Sequence, residues 1–139
     1  MATADALENQ VQIAAELEDR LPDIMVDRLR MEQVLLNLLI NAIQACGPGD
    51  RVAIRVQSQD GQGLDFVVED TGPGIPAEVL PNIFEPFFTT KEEGTGLGLA
   101  NALRIVAEHG GTLRAENHPE RGARFTIHLP RERLQPRKL

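Results

Sequence analysis

The sequence predicts an α/β sandwich, a mixed and mostly antiparallel sheet with helices packed on one face, and three observations carry that expectation. Short apolar or alternating runs of strand length recur, for example at Val52-Ile54-Val56, Phe66 to Val68 and Phe125-Ile127-Leu129. Two longer segments, about 28–46 and 97–109, carry apolar residues at helical spacing. Strands and helices alternate in an order that suits a sheet covered on one side, and no internal repeat appears.

Residues 1–9 read as a linker or helix stub, after which Val11, Ile13 and Ala15 alternate as a strand. Pro22 breaks the chain, and Ile24-Met25-Val26 form a short apolar strand. Asp27 is placed to cap the helix that follows, because a side-chain oxygen there accepts from the free N–H groups of the first turn. Cys46-Gly47-Pro48-Gly49 ends that helix. Val52, Ile54 and Val56 form the next strand, Asp60-Gly61-Gln62-Gly63 a turn, and Phe66 to Val68 the returning strand of a hairpin that runs into Asp70. From Thr71 to Thr95 the chain is rich in Gly, Pro and Thr, with a short helix around Ala77 to Leu80. The second helix runs from Leu97 to His109 and is closed by Gly110-Gly111, a residue type that accepts positive φ. Leu113-Arg114-Ala115 and the run from Phe125 to Pro130 are the last strands. Residues 10–130 thus read as one domain and 131–139 as a flexible basic tail.

Composition narrows the function classes. At 42% apolar and 25% charged residues the chain is an ordinary globular domain. It contains no apolar run near the ~18 residues needed to span a bilayer, and its first residues lack the basic flank and apolar core of a signal peptide, so a cytoplasmic location is expected. The single Cys46 excludes an internal disulfide. A net charge of −7 argues against nucleic acid, whose phosphates require a basic face.

The first chemical clue is a polar pair in an apolar helix. Asn37 and Asn41 lie one turn apart, and at ~100° per residue they share a narrow arc with Arg30, Gln33 and Gln44, while Met31, Val34, Leu35, Leu38, Leu39 and Ala42 fill much of the rest. Two neutral side-chain oxygens suit Mg²⁺, which keeps several waters and takes other ligands from nucleotide phosphates. The alternative is that both amides simply hydrogen-bond to loops crossing the helix.

Asp70-Thr71-Gly72-Pro73-Gly74-Ile75 places a carboxylate at a strand end, followed by glycines that let the backbone pass close to a flat ligand. A carboxylate accepts and cannot donate, so it pairs with the exocyclic amine of adenine and leaves the carbonyl of guanine unpaired. An ordinary surface turn uses the same residue types. Gly94-Thr95-Gly96-Leu97-Gly98 runs straight into the second helix, where free N–H groups and the positive dipole end favour phosphate. It is neither a Walker loop nor Gly-x-Gly-x-x-Gly, and a hinge is the simpler reading of it alone. Lys91, just before it, either reaches a phosphate or is solvated. Phe84-Glu85-Pro86-Phe87-Phe88 holds three of the five phenylalanines and should pin a mobile loop.

Taken in order, the Asn pair, Asp-x-Gly-x-Gly, the Phe-rich segment and Gly-x-Gly-x-Gly resemble the N, G1, F and G2 boxes of the catalytic and ATP-binding domain of bacterial two-component sensor histidine kinases. That domain sits in the superfamily that includes gyrase, the heat-shock chaperone ATPases and the mismatch-repair ATPases. The resemblance covers roughly residues 10 to 130.

The resemblance implies a Bergerat-type fold with ATP and Mg²⁺ as cofactors. By that likeness Asn41 is the magnesium ligand and Asn37 assists it, the two forming the catalytic pair. Asp70 contacts the adenine amine within a pocket shaped by Gly72, Gly74 and Ile75, while Lys91, Gly94, Thr95, Gly96, Leu97 and Gly98 address the phosphates. Hydrolysing relatives carry a glutamate where this chain has Asn37, and an amide cannot act as that base. The implied activity is therefore that of a protein-histidine kinase, transferring the γ-phosphate to a histidine on a separate dimerisation helix. His109, His118 and His128 do not fit the acceptor pattern. The implied partners are the dimerisation and phosphoacceptor helical domain of a parent kinase and a response-regulator receiver domain, with no nucleic acid and no direct membrane contact. A cytoplasmic place suits this whether or not the parent is membrane-anchored. The alternatives are a hydrolysing ATPase of the superfamily and a non-catalytic nucleotide-sensing module.

Three departures from the pattern bear on the site. Only Glu92 and Glu93 separate Lys91 from Gly94, a short lid similar to that of the nitrogen-regulation, oxygen-sensing and dicarboxylate-sensing kinases, the last of which Glu116-Asn117-His118-Pro119 also resembles. Ala123 replaces a frequent hydroxyl residue, so Asp70 is expected to rely more on water. Gln44 stands where a basic or aromatic residue is common.

Overall fold

The computed structural model describes residues 11–18, 21–58, 62–86 and 98–135, with side chains as far as Arg133. A five-stranded sheet has the order β1-β3-β4-β6-β5. Its strands are β1 (Gln12–Leu17), β3 (Arg51–Ser58), β4 (Gly63–Asp70), β5 (Thr112–Asn117) and β6 (Ala123–Pro130). β1 runs parallel to β3, and every other pairing in this sheet is antiparallel. Parallel neighbours need a long crossover connection, usually a helix. Here it is α1 (Arg28–Ala45), as the sequence predicts, and α2 (Gly98–Glu108) lies on the same face.

Burial follows the alternation of the strands. Val52, Val68, Phe125 and Ile127 point to the helices and meet Val34, Leu38 and Ile43 of α1 and Ala102 and Val106 of α2, all at most 1% exposed. Each such Val, Leu, Ile or Phe side chain contributes about 1.5–3 kcal/mol by leaving water. The opposite face is polar. There Glu69 of β4 pairs with Arg55 of β3 at 2.9 Å and with Arg124 of β6 at 3.1 Å, and His128 Nδ1 lies 2.6 Å from Asp65.

Asp27 caps α1 as expected, its Oδ1 accepting from the N–H of Arg30 at 3.2 Å. Phe84 meets the buried Phe125 edge-on, with ring centroids 6.2 Å apart, which pins the segment after the Asp-x-Gly-x-Gly loop to the core. Phe87 and Phe88 lie outside the described residues.

Three local expectations shift. The apolar strand expected at 24–26 is β2 (Asp23–Ile24). The short helix expected around Ala77 to Leu80 begins as a turn, with the Leu80 N–H on the Pro76 carbonyl at 3.0 Å, and continues as a 3-10 turn over Leu80–Asn82. The flexible tail does not begin at 131. Arg131–Arg133 form a 3-10 turn, and β7 (Leu134–Gln135) pairs antiparallel with β2. Main-chain bonds hold it: the N–H of Met25 donates to the carbonyl of Arg133 at 2.7 Å. No described helix is long and apolar enough to cross a membrane.

Candidate functional site

The polar stripe of α1 faces α2, which runs antiparallel along it. At one end Arg30 pairs with Glu108 at 2.7 Å, and about two turns on, the Asn37 amide donates to the carbonyl of Gly98 at 3.5 Å. The start of α2 therefore aims at the middle of α1. Beyond it Asn41 is half-buried one turn further along the stripe, and Gln44 is exposed. The N-terminal end of α2 carries the positive end of the helix dipole, a setting that favours an anion.

The Asp70 loop lies against the other end of α1. A Cβ on Gly72 would sit 3.0 Å from the carbonyl of Ala45, so only glycine lets the loop press on the helix terminus without a shift. From Asn37 to Ala45 the axial rise is ~12 Å, on the scale of an extended nucleoside triphosphate.

Asp70 is 5% exposed. Its Oδ1 accepts from the N–H of Gly72 at 2.9 Å and of Ala123 at 3.3 Å, and among the described residues Oδ2 takes no bond. Burial raises its pKa above the ordinary carboxylate value; the two N–H groups oppose that shift, while Asp50 and Glu69 add to it. The hydroxyl support that Ala123 cannot give is replaced in part by its own backbone N–H. Cys46 beside it has its thiol pushed up to about 11, first by burial and then by Asp70 and Asp50, so it stays protonated at neutral pH and is a poor nucleophile.

The flanking residue Thr71 is fixed on several sides. Its hydroxyl accepts from the N–H of Arg51 at 2.8 Å and donates to Asp50 at 3.3 Å, while its carbonyl accepts from Arg121 Nε at 2.6 Å. Gly74 has φ +85°, and Ile75 is held by both its backbone groups on the Asn117 amide, each bond 2.7 Å.

The structure thus brings Asn37 to Gly98, sets Asn41 on the same helical face, and gathers Asp70, Gly72, Gly74 and Ile75 in one loop at the end of that helix. Lys91, Gly94, Thr95, Gly96 and Leu97 lie outside the described residues. Arg121 and Gly122 meet the Asp70 loop without having stood out in the sequence, and Asn117, noted there only within Glu116-Asn117-His118-Pro119, holds it in a role the sequence did not indicate. A strand-ending Asn before a turn and a Gly between two strands were the available signals, and both are ordinary turn features.

The arrangement sets a carboxylate near one end of α1, two amide side chains along one face of that helix and the N-terminal end of α2 against its middle. Residues 26–133 match the family described as histidine kinase-, DNA gyrase B-, and HSP90-like ATPase. The chain is 44% identical over 130 residues to the sensor histidine kinase ZraS of Escherichia coli (strain K12), an alignment that covers 94% of this chain and 28% of that protein. It therefore spans little more than a quarter of the length of that relative. Among solved structures, the catalytic domain of histidine kinase ThkA in a nucleotide-free form superposes with a TM-score of 0.81 at 34% identity, covering 93% of this chain and 86% of that one. ThkA in complex with the response regulator protein TrrA gives 0.77 at 31% identity, covering 99% and 38%. Full-length ShkA in complex with AMPPNP gives 0.81 at 35% identity, covering 91% and 27%.

Proposed function

The chain belongs to the histidine kinase-, DNA gyrase B- and HSP90-like ATPase family, and on that premise we propose that it is the ATP-binding catalytic domain of a sensor histidine kinase. The observation that carries the proposal is the convergence of two separate segments on α1, Gly98 at Asn37 and the Asp70 loop at Ala45, with the half-buried Asn41 of the helix between them. The likeness to ZraS and to AMPPNP-bound ShkA supports the same reading.

In this reading Asp70 accepts from the exocyclic amine of adenine through Oδ2, with Gly72, Gly74 and Ile75 forming the pocket wall. The donor set of α1 fits a magnesium ion that takes most of its ligands from phosphates and water, so Asn41, assisted by Asn37, would hold it. Bound there, Mg²⁺ would neutralise phosphate charge. Lys91 and the segment Gly94-Thr95-Gly96-Leu97-Gly98 address the polyphosphate, with the α2 dipole behind them.

Asn37 supplies no base for water, and positioning plus charge stabilisation is most of what phosphoryl transfer requires. The acceptor is a histidine nitrogen on the helical dimerisation domain of a parent kinase. That nitrogen forms a bond to the γ-phosphorus as the bond to the ADP oxygen breaks. The phosphoryl group then passes to a receiver domain, in keeping with the ThkA–TrrA complex. The histidines of the chain are otherwise engaged: both ring nitrogens of His109 are in short contacts, His118 Nδ1 accepts from Glu120 N–H, and His128 faces Asp65 on the sheet's polar side. The domain works on the cytoplasmic side, whether or not its parent is membrane-anchored.

Calorimetry with ATP, ADP and GTP, with and without Mg²⁺, followed by mixing with a candidate acceptor domain and labelled ATP, tests the proposal. Selective Mg²⁺-assisted ATP binding and label on the acceptor histidine are expected. Steady phosphate release without transfer would move the chain to the hydrolysing branch of the family.

A further inference from the structure

The turn between β5 and β6, with the strand ends that flank it, lies far along the chain from the Asp70 loop yet holds it at three residues, Asp70, Thr71 and Ile75. Ala123 donates its N–H to Asp70 Oδ1, Arg121 donates to the carbonyl of Thr71, and Asn117 takes both backbone groups of Ile75. Two glycines permit the contact. A Cβ on Gly122, where φ is +96°, would overlap the carbonyl of Asp70, and one on Gly74 would lie 2.9 Å from Asn117 Oδ1.

Asn117 is the unusual member of this set. Its Oδ1 accepts from the Ile75 N–H at 2.7 Å while its Nδ2 donates to the Ile75 carbonyl at 2.7 Å, the exchange that a neighbouring β-strand residue would make. An amide has the donor and acceptor needed for this; Asp lacks the donor and Ser has one short oxygen. Asn117 and Arg121 are both exposed, so neither is part of the core, and their bonds go to loop backbone.

We propose that Asn117 is a specificity-determining positioning residue, whose two-point grip on Ile75 fixes the loop from which Asp70 distinguishes adenine from guanine, with Arg121 securing the same loop at Thr71. The inference rests on the reading of Asp70 given above. A carboxylate discriminates between purine edges only while the base is held in one register against it. Discrimination between an amine and a carbonyl comes from leaving a group unpaired, and a loop free to shift relieves that mismatch. The turn is thus a brace for base selection, remote from the phosphates and from Asn41.

The test compares the parent chain with Asn117→Ser, Asn117→Asp and Arg121→Ala. Calorimetric affinities for Mg-ATP and Mg-GTP are measured alongside thermal melting and amide hydrogen exchange at Ile75. In Asn117→Ser the ATP affinity should fall roughly 5- to 30-fold, with GTP affinity changing much less, so the ATP/GTP ratio narrows. Ile75 exchange should accelerate while the melting temperature stays close to the parent's. Asn117→Asp keeps the acceptor and loses the donor, and Arg121→Ala loosens Thr71 alone; both should narrow the ratio by less. If the parent prefers ATP and Asn117→Ser keeps the same ratio, or if both nucleotides weaken equally as melting falls, Asn117 is structural and the inference is overturned. A parent chain that binds ATP and GTP alike removes the Asp70 reading itself, and this inference with it.

Discussion

The backbone N–H of Asp27, the residue that caps α1, donates to Nε2 of His109 at 3.0 Å, just past the last turn of α2. The other nitrogen of the ring, Nδ1, lies 2.8 Å from the carbonyl of Ile105, and the side chain is part of a residue only 7% exposed. A ring that accepts at Nε2 must carry its proton at Nδ1. With Arg30 and Glu108 beside it, this contact fixes the end of α2 against the start of α1, and so sets where the other end of α2 meets Asn37.

His109→Ala leaves the Asp27 N–H without its partner and opens a cavity, and should cost about 1–3 kcal/mol of stability by urea unfolding. Nitrogen-15 spectra of the parent imidazole should report a neutral ring protonated at Nδ1. An Nε2-protonated ring would contradict the described bond.

Asp70→Asn should weaken ATP by ~1–3 kcal/mol, roughly 5- to 150-fold, while the unliganded protein stays folded, because an amide oxygen can still accept from Gly72 and Ala123. Burial raises the carboxyl's pKa in the folded chain, so between the unfolded value and that raised value the folded state binds more protons. Stability contributed by this group therefore declines as pH rises through that window, and Asp70→Asn should flatten that part of the pH profile. ATP affinity should move the opposite way, rising with pH as the carboxyl ionises. Parallel pH profiles of stability for parent and variant would count against the shift.

Asn41→Ala should abolish most of the difference between ATP titrations run with Mg²⁺ and with a chelator. Titrations of the parent that look alike under both conditions would remove the metal role from Asn41.

Gly122→Ala combines a left-handed φ with a methyl placed on the carbonyl of Asp70. The backbone strain alone costs ~1–2 kcal/mol, and the overlap forces the Asp70 loop to move as well. Lower melting together with weaker ATP binding is expected, in contrast to Gly49→Ala, where φ is also positive but no atom lies within 4 Å; that change should lower melting and spare binding.

Much of this fold was written in local pattern. The period of the Val34 to Ile43 run marked a buried helix, Asp27 and Cys46-Gly47 marked its ends, alternation marked β3 and β6, and a short apolar run marked β4, because each rests on neighbours within a turn or two of chain. The order of Asn37, Asn41, Asp70, Gly72, Gly74 and Gly98 likewise pointed to the family without any contact being known.

Tertiary structure alone decided who holds whom. The Asn117 amide meets Ile75 from 42 residues away, Arg121 meets Thr71 from 50, and Asp27 meets His109 from 82. Nothing in the spacing of those residues encodes the pairing. The ordering of Leu134–Gln135 against Asp23–Ile24 has the same origin, since a two-residue strand has no periodicity to read and exists through its partner's main-chain groups. Local sequence sets helices and strands through backbone preference and side-chain period, whereas a polar side chain finds its partner after the sheet has closed, when the shape of the folded chain fixes which donors and acceptors face each other.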